Sequence, residues 1–226
     1  MGDINQLTFI RRHADIFLGP YLEVGSKDYG STQDIRALFA DAGEYCTVDM
    51  HAGPKVDQVL DLTADFDDID AALGHKRFGT IFCLSVLEHC GEPFEMARNL
   101  SRLLAPGGYI CISAPFAWRI HPYPDDFWRF TPAGIRRLFS EIDFEPERCC
   151  AATCRRDEFQ PLDGEFGRVR FSFSKHWRRG RRIQALSARC LRILARIGLF
   201  RWFAGYRYLF APTNILMVGR RPDGPV

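Results

Sequence analysis

A chain of 226 residues, 46% of them hydrophobic, is long enough for one domain with a real core, with or without an elaboration. It has no run of about 18 apolar residues, so no membrane-crossing helix is expected; the opening Met-Gly-Asp-Ile-Asn-Gln lacks the basic start and apolar stretch of a secretion signal, which makes the cytoplasm the expected compartment. Net charge is only +2, yet residues 151–226 hold 16 Lys/Arg against 5 Asp/Glu, about +11, which leaves about −9 elsewhere and points to a region for an anionic partner.

In chain order, residues 5–18 read as a short helix stopped by Gly19-Pro20. Residues 21–24 are a buried strand and 25–30 a turn. Ser31 and Asp34 resemble a capping arrangement for a helix over 32–42, with Ile35, Leu38 and Phe39 on its apolar face. Strands follow over 45–49 and 56–62, then a short helix over 66–73 and an apolar strand over 80–84. A helix over 92–104 ends at Pro106-Gly107-Gly108, and a strand over 109–113 follows. Thr131 is placed to cap a helix over 132–140. Residues 153–181 show no clear period; 183–203 reads as a helix and 214–219 as a last strand. Apolar strands separated by helices imply an α/β fold: a Rossmann-like, doubly wound, mostly parallel sheet of seven strands with helices on both faces. The chain thus divides into a core over 1–152, a basic helical insertion or lid over 153–212, and a last strand with tail over 213–226. None of the eight cysteines forms a C-x-x-C pair, so zinc-finger spacing is absent, and reduced structural thiols are expected rather than disulfides.

Ligands of open α/β sheets bind beyond the carboxyl ends of the strands, so the residues that follow each strand carry the information. After the first comes Glu23-Val-Gly25-Ser26, where Gly25 permits a sharp turn and a close backbone approach. After the second comes Asp49, a carboxylate able to accept both hydroxyls of an unphosphorylated ribose, or else a solvated loop aspartate. Asp61-Leu62 can meet an adenine through its exocyclic amine and ring face; the plainer reading is a loop or capping aspartate. After the fourth strand stands Leu84-Ser-Val-Leu-Glu-His89, and after the next helix Leu103-Leu-Ala-Pro-Gly-Gly-Tyr109.

Taken in order, Glu-x-Gly-Ser, Val-Asp, Asp-Leu, Val-Leu-Glu-His and Leu-x-Pro-Gly-Gly resemble the class I S-adenosylmethionine-dependent methyltransferases of the methyltransferase-11 type, over roughly residues 20–150 and a final strand near 215–219. The resemblance implies S-adenosyl-L-methionine as cofactor. It implies that Glu23 and Gly25 form the first methionine-binding motif, that Asp49 holds the ribose, that Asp61 and Leu62 contact adenine, and that Ser85 borders the methionine moiety. Ser26, Met50 and Leu84 complete the expected contacts. One departure stands out: the family pattern is Gly-x-Gly-x-Gly, but here Lys27 and Tyr29 occupy the second and third positions and Gly30 comes one place late. That implies a reshaped cofactor loop, or a protein that no longer binds cofactor.

Residues 114–132 follow the fifth strand and are expected to roof the reacting end. Within them His121 is the expected general base, because a histidine exchanges protons near neutral pH; a histidine fixing the turn is the competing reading. Asp125 or Asp126 would orient it or hold the acceptor, Arg129 would pair with one of them, and Trp128 and Phe130 read as packing. Glu88-His89 raises a metal question. Some methyltransferases carry a further glutamate where Ser85 stands, and without that carboxylate a hard cation has fewer oxygen ligands. No metal is therefore assigned, and Glu88, His89 and His121 are what remains of such a site. The expected acceptor is a small molecule or a lipid- or glycan-linked one, methylated at oxygen or nitrogen. The alternative is a non-catalytic binding or interaction protein on the same fold. Apolar residues at 183, 186, 190, 194 and 197 alternate with arginines at 182, 189, 192 and 196. That pattern suits a packed lid, peripheral contact with an anionic membrane through residues 178–203, or, less readily, nucleic acid. Oligomeric state is not legible.

Overall fold

The computed structural model describes residues 4–28, 30, 34–40, 43–121, 125–164, 166–169, 172–199 and 209–224. The chain divides into two compact units, Met1–Phe166 with Pro212–Val226, and Gly167–Ala211. The first unit opens with α1 (Ile4–Arg12), then β1 (Tyr21–Val24), β2 (Tyr45–Asp49), the two-residue β3 (Gln58–Val59), α2 (Phe66–Ala72), β4 (Phe78–Leu84), α3 (Pro93–Leu103), β5 (Leu104–Ala117), α4 (Pro132–Leu138), β6 (Asp143–Thr153) and β7 (Phe159–Pro161). The second unit holds β8 (Arg168–Val169), α5 (Phe173–Arg178), α6 (Arg182–Arg196) and β9 (Leu209–Phe210), after which β10 (Thr213–Arg220) returns to the first. No described helix is long and apolar enough to cross a membrane.

The main sheet runs β3-β2-β1-β4-β5-β10-β6-β7. Its first five strands pair in parallel. β10 is antiparallel to both β5 and β6, and β7 is antiparallel to β6. The doubly wound, mostly parallel sheet is as the sequence implied, but with eight strands instead of seven. The eighth is the short edge strand β7, and β6 lies in a stretch to which the sequence pattern gave no element. β6 is easily overlooked because its first half, Asp143–Arg148, is mostly charged, and only Cys149–Thr153 reads as apolar. The helical unit begins at Gly167, so the 153–212 stretch expected as an insertion also includes β7, a strand of the main sheet.

Period-two alternation sends successive side chains to opposite faces. Leu22, Ile81, Cys83, Ile110, Ile112, Ile215 and Met217 join one core with α2, α3 and α4. Tyr21, Phe82, Cys111, Leu216 and Val218 join the other with Phe9 and Ile10 of α1. There Tyr21 stacks on Phe39 with centroids 4.8 Å apart and on Tyr45 at 5.6 Å. Thr131 caps α4 as expected, its hydroxyl accepting from Gly134 N at 3.0 Å. The eight cysteines are free thiols, and burial pushes those of Cys83 and Cys111 far up.

Several elements came out shorter than the pattern implied: α1 ends at Arg12 rather than near residue 18, α6 ends at Arg196, and two others shrink further. The strand expected over 56–62 is only Gln58–Val59, because Asp57 bonds back to Thr47 through both its N–H (2.9 Å) and its carboxylate (3.1 Å), and Asp61 closes a turn on Thr63. In the helix expected over 32–42, the described residues form one 3₁₀ turn, Arg36–Leu38, with Asp34 Oδ1 accepting from Ala37 N at 3.0 Å. Ile35 and Phe39 are both buried in the aromatic core, which one turn suffices to achieve; a longer helix would need further apolar positions. Ser31, Thr32, Asp41 and Ala42 lie outside the described residues.

Candidate active site at the carboxyl ends of the strands

The loop leaving β1 is tied to the end of β2. Gly25 N and Ser26 N donate to Val48 O at 2.9 and 3.2 Å, and Lys27 N donates to Asp49 Oδ2 at 3.2 Å. The other oxygen of Asp49 accepts from His51 N at 2.9 Å. Two backbone donors therefore fix the direction of this carboxylate while each oxygen keeps a lone pair for another donor. Gly25 has φ +70°, and a Cβ there would lie 2.5 Å from Val86 Cγ2, so the turn after β1 is pressed against the turn after β4. Lys55 clamps the outer loop through Asp28 at 3.0 Å.

Glu23 is half-buried, and burial raises its carboxyl pKa against the lowering effect of the Tyr45 hydroxyl, which donates to it at 2.7 Å. Ser26 is buried. Ser85 adopts φ +55°, and its hydroxyl accepts from Gln6 Nε2 at 2.8 Å. Gln6 also donates to Ser113 Oγ at 2.9 Å, so α1 bridges the ends of β4 and β5. The sequence pattern passed over Gln6 and its neighbour Asn5. The available signal was two amides on the apolar side of α1, both now buried and hydrogen-bonded.

The remaining expected contacts are less concentrated. Leu62 is buried in the core, and Asp61 Oδ1 holds the N–H and hydroxyl of Thr63. The carbonyls of Leu62 and Ala64 both accept from Asn99 Nδ2 of α3 at 3.0 Å, which fixes this loop. Met50 is exposed and Leu84 half-buried.

Beyond β4 a 3₁₀ turn, Leu87–His89, carries Glu88 and His89. Residues 125–130 dock on it: Phe127 N donates to Glu88 O at 2.8 Å, and Trp128 Nε1 donates to Cys90 O at 2.8 Å. Arg129 staples the chain after β5 to this segment, donating to the carbonyls of Trp118 and Arg119 and to both oxygens of Asp126. Asp126, with a side chain only 1% exposed, also accepts from His121 N at 2.9 Å and lies 3.1 Å from His121 Nδ1. Asp126 thus orients His121. The Asp125 side chain is exposed, and its backbone carbonyl accepts from His89 Nδ1. Phe130 packs in the core, as its pattern suggested.

Glu88, His89 and His121 come together: one ligand-type atom from each lies within 4.8 Å of the others. The imidazoles of His89 and His121 meet edge-on with centroids 5.0 Å apart. Burial pushes the Glu88 carboxyl up to about 8 and holds His89 below its ordinary value, which favours the neutral imidazole. Pro122, Tyr123 and Pro124, like Tyr29, lie outside the described residues.

Residues 23–112 match the family profile described as "Methyltransferase domain". No curated protein matches the chain. Among solved structures, the chain is similar to a SAM-dependent methyltransferase from Archaeoglobus fulgidus, with 14% identity over 95% of this chain and 92% of that one and a TM-score of 0.53. It is also similar to the 1,6-didemethyltoxoflavin-N1-methyltransferase of Burkholderia thailandensis, solved with S-adenosylhomocysteine: 12% identity, 96% and 77% coverage, TM-score 0.53. A third similar structure is the [4+2]-cyclase SpnF, at 13% identity, 98% and 81% coverage and TM-score 0.54. Identities this low speak for the fold alone, but the profile match covers the strand ends just described. With parallel strands feeding Gly25, Asp49 and Ser85 to one edge and β10 inserted antiparallel beside β5, the chain shares the fold of these methyltransferase structures, and its residues 23–112 are similar to the methyltransferase-domain profile.

Proposed function

We propose that the protein moves a methyl group from S-adenosylmethionine to an oxygen or nitrogen of a small or lipid- or glycan-linked acceptor. The observation that carries this reading is the bonded junction of the β1 and β2 loops, where Gly25 turns the chain and two backbone N–H groups aim the Asp49 carboxylate. These residues fit the cofactor: a preset carboxylate suits a ribose diol, and a tight glycine turn suits close approach of a ligand. When bound, the cofactor supplies a methyl already activated on a sulfonium, so the protein's work is mainly alignment. In this reading Asp49 accepts the ribose hydroxyls, and the β1 turn with Glu23, Gly25 and Ser26 bounds the methionine end. Ser85, turned by its left-handed backbone and held by Gln6, borders the same end. His121, oriented through Nδ1 by Asp126, presents Nε2 to the acceptor and takes its proton.

Calorimetry tests the reading. The protein is expected to bind S-adenosylhomocysteine, and Asp49→Ala to weaken that binding at least about tenfold, since a hydrogen bond to a charged group contributes roughly 1.5–3 kcal/mol. Absence of heat with either S-adenosylhomocysteine or S-adenosylmethionine on folded protein would favour the non-catalytic alternative. Because the same fold is found in a cyclase, the activity assay must follow the methyl group itself into product by mass.

A lipid-linked acceptor is supported by α6. Its Ile183, Leu186, Ile193 and Ile197 side are exposed, while arginines 182, 189, 192 and 196 supply positive charge around them. Such a helix suits an anionic membrane surface. Vesicles containing anionic lipid are expected to sediment the protein in low salt, and replacing the arginines of residues 178–196 with glutamine is expected to release it. Equal sedimentation with neutral vesicles would discard the charge argument. Phe200, Arg201, Trp202 and Phe203 lie outside the described residues.

A further inference from the structure

We propose that Glu88, His89 and His121 form a binding site for one divalent first-row transition-metal ion. The argument starts from where the protons are. His89 Nδ1 faces the carbonyl of Asp125, and His121 Nδ1 faces the carbonyl of Arg119 at 3.2 Å and Asp126 Oδ2 at 3.1 Å. Carbonyl and carboxylate oxygens only accept, so in each neutral imidazole the proton sits on Nδ1 and the lone pair on Nε2. Tethering the far nitrogen to a carbonyl or carboxylate is the arrangement that orients metal-binding histidines. His89 Nε2 lies 4.0 Å from Glu88 Oε1.

Glu88 supplies an independent observation. Its side chain is 2% exposed, and Oε2 is a buried oxygen that no donor among the described residues reaches. A buried acceptor left without a partner costs roughly 1–3 kcal/mol, and more if charged, so it calls for an explanation. Asp126 cannot share its donors, because Arg129 and His121 are committed to it. The Glu88 carboxyl and the two imidazoles thus gather around one point, and a cation there gives the orphaned Oε2 the partner it lacks.

Scale and chemistry select the ion. Two ligands on one ion are at most about 4.2 Å apart, twice a bond of about 2.1 Å. The 4.8 Å envelope therefore needs to tighten by about half an ångström on loading. Two imidazoles and one carboxylate favour zinc, cobalt, iron(II) or manganese over magnesium and calcium, which prefer all-oxygen sets. Three protein ligands leave at least one position for water or an oxygen of another molecule. The site itself stands on the geometry of these three residues; only its bearing on the acceptor rests on the methyl-transfer reading. On a loaded molecule His121 is a ligand, and its role as proton acceptor belongs to the metal-free protein.

The test uses the full chain, free of any histidine tag and stripped with chelator, titrated with Co²⁺ by calorimetry. The expected result is one Co²⁺ per chain, not displaced by equimolar Mg²⁺. His121→Ala and Glu88→Gln are each expected to weaken binding at least about tenfold, with circular dichroism showing that both variants fold. His121 lies in a half-buried loop, so its variant keeps the test sharp should Glu88→Gln misfold. Asp49→Ala is expected to keep its Co²⁺ while losing nucleoside affinity, which separates this proposal from the methyl-transfer reading. Failure of folded wild type to take up Co²⁺ would overturn the proposal. So would uptake that survives both cluster variants, or uptake abolished by changing the exposed Cys154 and Cys190 to serine.

Discussion

Asp126→Ala is expected to lower folding stability by about 3–5 kcal/mol, the range for removing one partner of a buried ion pair. The carboxylate is almost wholly enclosed, while Arg129 is 27% exposed, so the lower end of that range is expected. Three consequences arrive together. Arg129 loses its anion, His121 N–H loses its acceptor, and the chain after β5 stays tied to residues 125–130 only through the Arg129 bonds to the carbonyls of Trp118 and Arg119. Urea unfolding reads the first directly. Asp125→Ala is the matched control. Its exposed side chain predicts a change within about ±0.5 kcal/mol, as for most surface substitutions. Near-equal losses for the two variants would mean that the neighbouring aspartates are not divided between structure and solvent as described.

The same network predicts a sign with pH. The Arg129 hydrogen bonds, foremost, hold the Asp126 carboxyl well below the usual range; burial opposes them, and His121 assists. A depressed carboxyl means that the unfolded chain binds the proton more readily. The stability Asp126 contributes is therefore complete above its unfolded value, near about 4, and is lost as pH falls through that value toward the folded one. Wild type should lose more stability than Asp126→Ala between about pH 5 and pH 2. Parallel curves would show that the carboxylate titrates normally in the folded protein.

The sheet was legible because a buried parallel strand needs no partner pattern to be recognised: a run such as Thr-Ile-Phe-Cys-Leu, residues 80–84, is apolar on both faces and bounded by turns. Edge strands lack that constraint. Val59 is exposed, β7 is three residues long, and β6 hides its pairing behind charge. At the site, Gly25, Asp49 and Ser85 were legible because strand ends fix their place whatever the side-chain packing. What could not be read was which of two adjacent aspartates faces inward. Asp125 and Asp126 differ by one position in an aperiodic segment, where no 2.0 or 3.6 repeat assigns a face. Only Arg129, reaching back to Trp118 and Arg119, decides it. Gln6 was hidden for the converse reason: its partners, Ser85 and Ser113, are 79 and 107 residues away. The grouping of Glu88, His89 and His121 was raised by the sequence as the remains of a metal site, but their convergence depends on the docking of 125–130 on the turn after β4, a long-range contact that no local pattern encodes.

Gly25→Ala is expected to cost about 2–5 kcal/mol, and the figure divides into two physical parts. A left-handed backbone costs an L-residue roughly 1–2 kcal/mol. The added methyl must also find room where Val86 Cγ2 stands 2.5 Å away, an overpacking penalty of about 1–3 kcal/mol. Val86→Ala made in the same chain removes the second part and not the first. The double variant should therefore recover about 1–3 kcal/mol relative to the sum of the singles, within the range for residues in contact. Affinity for S-adenosylhomocysteine should follow the same order, because the N–H groups of Gly25, Ser26 and Lys27 are what couple the turn to Val48 and Asp49. Strict additivity would show that the two turns relax independently. Full recovery of stability without recovery of affinity would place the demand for glycine in the ligand's approach rather than in Val86. Partial recovery of both is the outcome that a turn shared between protein packing and ligand contact requires.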